Sequence, residues 1–186
     1  MKIRNTSPKL IMAFTLAVLT ILLAAASPVA RAQDRDEQRN SVGGASAYIA
    51  RGNDWYDKGE WERARADYDL ALAFDPRSVA AYYNRGNARK ASGDFDGASA
   101  DYTKAIELKP VLVEAWNNRG NARRAKGDVK EALKDYTAAL RLKPDYAGAF
   151  YYRGNVRRAM GDMEGALKDY NEARGLKPDA LSMAEL

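Results

Sequence analysis

VAAYYNRGNARKASGDFDGASADYTKAIELKPVL, residues 79–112, is the unit from which most of this chain is built. Its landmarks return every 34 residues. Arg-Gly-Asn begins at Arg51, Arg85, Arg119 and Arg153, and Asp-Tyr begins at Asp67, Asp101, Asp135 and Asp169. Gly59, Gly93, Gly127 and Gly161 keep the same step, and so do Pro76, Pro110, Pro144 and Pro178. An unbroken period of this length means one structural unit made four times. So short a unit cannot bury its own apolar face, so neighbours must stack into a solenoid.

Each unit holds two segments with helical spacing. In residues 79–112, Tyr82, Gly86 and Arg89 share one stripe, and Phe95, Ala98, Tyr102, Ala105 and Ile106 share another. Gly93-Asp94 separates them, a glycine suited to a helix C-terminus and an aspartate suited to capping the next helix. Pro110 ends the second helix, because the residue before a proline is pushed out of helical geometry. The spacing predicts first helices over about 45–58, 79–92, 113–126 and 147–160. It predicts second helices over about 61–74, 95–108, 129–142 and 163–174, with no strand. Gly52, Gly86, Gly120 and Gly154 stand mid-helix, where each costs about 1 kcal/mol relative to alanine. Close approach to Ala64, Ala98, Ala132 and Ala166 is the expected reason.

Places 1–34 can be counted in each unit from Ala45, Val79, Val113 and Ala147. On that count the chain resembles the tetratricopeptide repeat, whose pattern is an aromatic at place 4, Gly at 8, Ala at 20, an aromatic at 24, Ala at 27 and Pro at 32. Place 4 is Tyr48, Tyr82, Trp116 and Phe150; place 24 is Tyr68, Tyr102, Tyr136 and Tyr170; place 27 is Ala71, Ala105, Ala139 and Ala173. All 24 positions agree. The resemblance implies an all-α, right-handed superhelix of four helix-turn-helix units, 45–78, 79–112, 113–146 and 147–180, followed by a tail at 181–186. It also implies a surface that binds rather than reacts, so no catalytic residue, cofactor or metal is expected.

Two places depart from the family pattern. Place 7 is Arg51, Arg85, Arg119 and Arg153, and place 11 is Trp55 and then Arg89, Arg123 and Arg157. A partly buried charge needs a partner, and the repeated aspartates supply one. Arg51 is expected to pair with Asp67 in its own unit. Only the first unit lacks an arginine at place 11, which suggests that the later ones reach back: Arg89 to Asp67, Arg123 to Asp101 and Arg157 to Asp135.

The resemblance places the concave face on places 2, 5, 6, 9, 12 and 13 of the first helices. Place 9 is Asn53, Asn87, Asn121 and Asn155. These amides could hold the backbone of an extended peptide, or bond neighbouring helices as part of the scaffold. Asn84, Asn117 and Asn118 add amides, and Tyr83, Tyr151 and Tyr152 add flat amphipathic surface. If the arginines at places 7 and 11 are paired internally, Lys90, Arg124 and Arg158 remain as groove cations. They favour an acidic peptide or a C-terminal carboxylate.

The chain opens with Lys2, Arg4 and Lys9, then an apolar run over Leu10–Ala26, then Ala30-Arg31-Ala32. A positive start, an apolar middle and a small-residue site read as a secretory signal peptide, 1–32. The run is short for a membrane span, which needs about 20 residues, so cleavage is favoured over an uncleaved anchor. Polar residues 33–44 read as a flexible linker. Removing the four cations of 1–32 from a total of 30 leaves 26 basic residues against 25 acidic ones, so the net charge of +5 is no argument for nucleic acid. With no Cys and no His, thiolate and imidazole chemistry and the usual zinc sites are excluded. The reading is an exported, non-enzymatic scaffold for a protein or peptide, with no stable membrane insertion after cleavage. The alternative is a structural part of a cell-envelope assembly that uses its open C-terminal end or convex face.

Overall fold

The computed structural model describes the backbone of residues 28–176 and the side chains from residue 43. The signal segment up to residue 27, the last four residues of the fourth unit and the tail lie outside the described residues. The chain divides into two compact units, residues 1–43 and 44–186. Eight helices and no strand occur among the described residues: α1 Pro28–Asp57, α2 Trp61–Phe74, α3 Val79–Ala91, α4 Phe95–Leu108, α5 Val113–Lys126, α6 Val129–Leu142, α7 Ala147–Ala159 and α8 Met163–Leu176. The helices from α2 onward fall within two residues of the ranges expected from the repeat. The exception is α1. Residues 33–44, read as a linker, are helical. Pro28 suits a first helical turn, no proline follows before Pro76, and Gly43-Gly44 weaken a helix without terminating it.

The glycine between the helices of each unit explains why the hairpin turns where it does. Gly59, Gly93, Gly127 and Gly161 have φ of 76°, 85°, 90° and 84°, the left-handed region that other residues enter only with strain. Each first helix then closes in the same way. The N–H of Glu60, Asp94, Asp128 and Asp162 donates to the carbonyl five residues back, on Trp55, Arg89, Arg123 and Arg157, at 2.8–2.9 Å. Asp94 and Asp162 cap the following helix through Gly97 and Gly165 N–H, at 2.9 and 2.8 Å.

From α2 onward each helix packs on the next in sequence, and the first helices of neighbouring units also touch, α3 with α5 and α5 with α7. The core is built from small residues and tyrosines. Ala64 and Tyr68 receive Ala88 of the following unit, Ala98 and Tyr102 receive Ala122, and Ala132 and Tyr136 receive Val156. Place 10 of units two to four is thus the knob that locks each to its predecessor.

The mid-helix glycines serve the tyrosines rather than the alanines, and only at Gly154 does the expected alanine also come close, with Ala166 O 3.3 Å from a Cβ placed there. A Cβ on Gly52, Gly86, Gly120 or Gly154 would lie 2.6–2.8 Å from a ring carbon of Tyr68, Tyr102, Tyr136 or Tyr170. The tyrosine ring lies flat on bare helix backbone, and glycine is required for that. Gly86→Ala improves intrinsic helix preference by about 1 kcal/mol. It should nevertheless lower the unfolding free energy by about 1–3 kcal/mol, because the buried Tyr102 ring has no room to shift. Urea unfolding of the variant measures this, and unchanged or raised stability would refute the ring-on-backbone contact.

Candidate binding groove

Within each unit the Arg-Gly-Asn of the first helix meets the Asp-Tyr of the second. The guanidinium at place 7 grips the aspartate through two N–H donors: Arg51 on Asp67, Arg85 on Asp101, Arg119 on Asp135 and Arg153 on Asp169, at 2.5–3.0 Å. Glycine admits the tyrosine ring. Asparagine Oδ1 then accepts the tyrosine hydroxyl: Tyr68 to Asn53, Tyr102 to Asn87, Tyr136 to Asn121 and Tyr170 to Asn155, at 2.7–2.9 Å. Burial pushes the hydroxyls of Tyr68, Tyr102 and Tyr136 well above the ordinary phenol value, which keeps them protonated as donors.

The arginines at place 11 pair with the same carboxylates, in their own unit. Arg89 donates to Asp101 at 2.8 Å, Arg123 to Asp135 at 2.8 Å and Arg157 to Asp169 at 2.9 Å. The expected reach back to the preceding unit is therefore wrong. Places 7 and 11 are one helical turn apart on one face, so both forks point at the same second helix. It is place 7 that touches the preceding unit, through Arg85 to Asp69 at 2.6 Å and Arg119 to Thr103 at 3.0 Å. Each place-7 guanidinium also lies over the aromatic one turn before it. The distances are 5.2 Å for Arg51 on Tyr48, 5.5 Å for Arg85 on Tyr82, 4.8 Å for Arg119 on Trp116 and 5.4 Å for Arg153 on Phe150. Burial alone would pull Arg85 down, but the carboxylates of Asp101 and Asp69 outweigh it and hold the guanidinium above its ordinary value.

The asparagines also link units. Asn84 donates to Asn53 Oδ1 at 2.9 Å, and Asn118 donates to Asn87 Oδ1 at 3.2 Å and to the Tyr83 hydroxyl at 3.0 Å. The place-9 oxygens are thus engaged inside the protein. The place-9 Nδ2 groups of Asn53, Asn121 and Asn155 carry no hydrogen bond among the described residues, while the Asn87 amide stands beside the Tyr83 hydroxyl as a donor. Each of these amides serves the scaffold through its oxygen end. The ladder stops at the fourth unit, where Tyr152 stands in place of Asn84 and Asn118. There Tyr152 stacks on Tyr136 at 6.0 Å, and Tyr151 lies 5.4 Å from Tyr152 and 6.1 Å from Tyr170.

Lys90, Arg124 and Arg158 make no ion pair among the described residues. Lys90 is half-buried, and that burial pulls its ammonium below the ordinary value. Arg124 and Arg158 are exposed, with Arg124 5.8 Å over the ring of Tyr152. Asn117 is a correction. It is only 4% exposed and contributes no amide to the surface; its Nδ2 leans 3.5 Å from Asn118 Oδ1 while its own Oδ1 is buried without a partner. Its place holds Tyr83 and Tyr151 in the flanking units, and a place that takes an aromatic in the neighbouring units is partly interior.

One part of the groove was not singled out from the sequence. Asn53, Tyr56, Asp57 and Tyr68 of the first unit, with Asn84 and Asn87 of the second, line an open cleft of about 280 Å³. Tyr56 and Asp57 occupy concave places 12 and 13, so the signal was present in the register.

Known proteins agree with this geometry. A model described as TPR repeat matches residues 52–93 and 120–157, and one described as tetratricopeptide repeat matches 79–110, together more than half the chain. The chain belongs to the tetratricopeptide-repeat family. Arrays of this family are protein-interaction scaffolds. Among solved structures, MamA is 21% identical with a TM-score of 0.70, over 73% of this chain and 80% of that one, a likeness of fold. The first tetratricopeptide domain of Spaghetti (RPAP3), solved bound to the HSP90 peptide SRMEEVD, is 27% identical with a TM-score of 0.63, over 64% of this chain and 95% of that one. The Arabidopsis OM64 domain is 28% identical, again with a TM-score of 0.63, over 64% and 98%. No curated protein matches the chain.

Proposed function

We propose that this tetratricopeptide array is a non-catalytic scaffold that holds an extended, acidic peptide segment along the face of its first helices. The observation that supports this most is the sorting of the cations. Six of the arginines at places 7 and 11 in units two to four are bound to buried aspartates of the scaffold. Lys90, Arg124 and Arg158 are left without carboxylate partners, in register with the place-9 amides that still have donors to give. The peptide-bound relative adds weight by fold and by its acidic ligand. No reaction belongs to this reading.

Asn87→Asp together with Asn121→Asp keeps an oxygen for each tyrosine hydroxyl and removes the amide donors. This pair should weaken an acidic twelve-residue peptide about tenfold or more, since each net hydrogen bond contributes about 0.5–1.5 kcal/mol and the new charge repels. Arg124→Glu should slow association and flatten its salt dependence. Fluorescence anisotropy across a salt series reads both. Variants that fold normally and bind unchanged would place the site elsewhere.

A second reading has its own observation. Met163 and Leu167 are 63% and 61% exposed, whereas their counterparts Val129 and Leu133 are packed beside Val156 and Tyr152 of the next unit. Tyr170 is half-buried, so the open face is centred on Met163 and Leu167. This apolar end suits a further helix of an assembly partner.

We also propose that the protein works after export, in the periplasm or outside the cell, with residues 1–32 removed. No helix of the described residues is long and apolar enough to cross a membrane. N-terminal sequencing of the exported protein should begin near Gln33. A product that keeps Leu10–Ala26 and sediments with membranes would contradict cleavage.

A further inference from the structure

The groove differs from end to end. Units two, three and four each carry a cation at place 12, Lys90, Arg124 and Arg158. The first unit carries Tyr56 there, followed by Asp57, an exposed carboxylate with no ion pair or hydrogen bond among the described residues. Asp57 lines the cleft of about 280 Å³ between the first two units. Two of the amide oxygens in that lining are already engaged. Asn53 Oδ1 receives Tyr68 and Asn84, and Asn87 Oδ1 receives Tyr102 and Asn118. The carboxylate of that lining is Asp57, which carries a full negative charge with no cation on it among the described residues, and the tyrosines beside it also favour a cation. Asp54, one turn earlier on α1, adds a second negative charge to this end. Lys58, the nearest cation in sequence, lies over the Trp55 ring at 4.9 Å. Glu114 on α5 does not cancel the cation row. It sits ten residues before Arg124, about 15 Å along the helix axis.

We propose that the groove fixes which way round its ligand lies: an extended peptide places a basic side chain or free amino group in the Asp57 cleft and its acidic residues over Lys90, Arg124 and Arg158. This rests on the groove reading above and adds a polarity to it. Three steps between packed helices of roughly 10 Å each are spanned by about nine extended residues at roughly 3.4 Å apiece. The preferred ligand is thus a segment whose charge changes sign within about nine residues.

The test uses the full-length protein and a twelve-residue peptide with two lysines at one end and four glutamates at the other. A benzophenone photocrosslinker is placed at the lysine end in one version and at the glutamate end in the second. Crosslinked fragments are located by mass spectrometry. The lysine-end probe should label residues 49–68 and the glutamate-end probe residues 151–158. Asp57→Lys should cut lysine-end labelling of the first unit by about threefold or more, because it replaces an attractive charge contact with a repulsive one. Saturable groove labelling in which either probe reaches both ends equally, or labelling indifferent to Asp57→Lys, would overturn the polarity and leave the groove reading standing. Absence of groove labelling by both probes would overturn both.

Discussion

The carboxylate of each Asp-Tyr pair is the point on which this array turns. It is nearly absent from the surface, at 1–4% exposure in all four units. A bare carboxylate in that position would be untenable, and one arginine, or two in units two to four, makes it tenable. The grip on the aspartate fixes the second helix against the first. That in turn lays the neighbouring tyrosine flat across a glycine and brings its hydroxyl to an asparagine. Arg-Gly-Asn and Asp-Tyr are therefore one interlocking device written in two places, and its repetition accounts for most of the polar residues that recur every 34 positions. The first unit is the loosest instance. Trp55 replaces the second arginine, and the side chain of Arg51 is 56% exposed, against 9% for Arg119.

The same device decides what is available to a ligand. A sequence with this many arginines on its first helices looks like a strongly basic groove. Once the arginines at places 7 and 11 are bound to the scaffold, the groove charge shrinks to Lys90, Arg124 and Arg158, opposed at one end by Asp57. The place-9 asparagines are divided in the same sense, their oxygens inward to tyrosine and the amide nitrogens of Asn53, Asn121 and Asn155 without a hydrogen bond among the described residues.

Much of this was legible in the sequence, for physical reasons. Gly93 and its equivalents need positive φ, and Pro110 and its equivalents stop a helix, so the helix limits followed from backbone chemistry alone. The existence of arginine–aspartate pairs followed from the cost of burying charge. Their direction was misread. The absence of arginine at Trp55 suggested reach between units, yet the one-turn spacing of places 7 and 11 already required a shared target. The aromatic under each place-7 arginine lay three residues upstream in plain view. The helical continuation of α1 through residues 33–44 was hidden by polar composition and Gly43-Gly44, which argue for a loop only when nothing upstream propagates the helix. Asn117 looked like a groove amide because its place was assigned by family register. Its burial depends on the neighbouring units, which no single repeat reveals.

The most direct measurement is a pair of double-mutant cycles on unfolding free energy, one for Arg123 with Asp135 and one for Arg123 with Asp101, using Arg123→Met, Asp135→Asn and Asp101→Asn. Coupling of about 1 kcal/mol or more is expected within the unit, and none beyond about 0.3–0.5 kcal/mol between units. Coupling of Arg123 to Asp101 and not to Asp135 would mean that the carboxylates are held from the next unit, and the closed hairpin described here would be wrong.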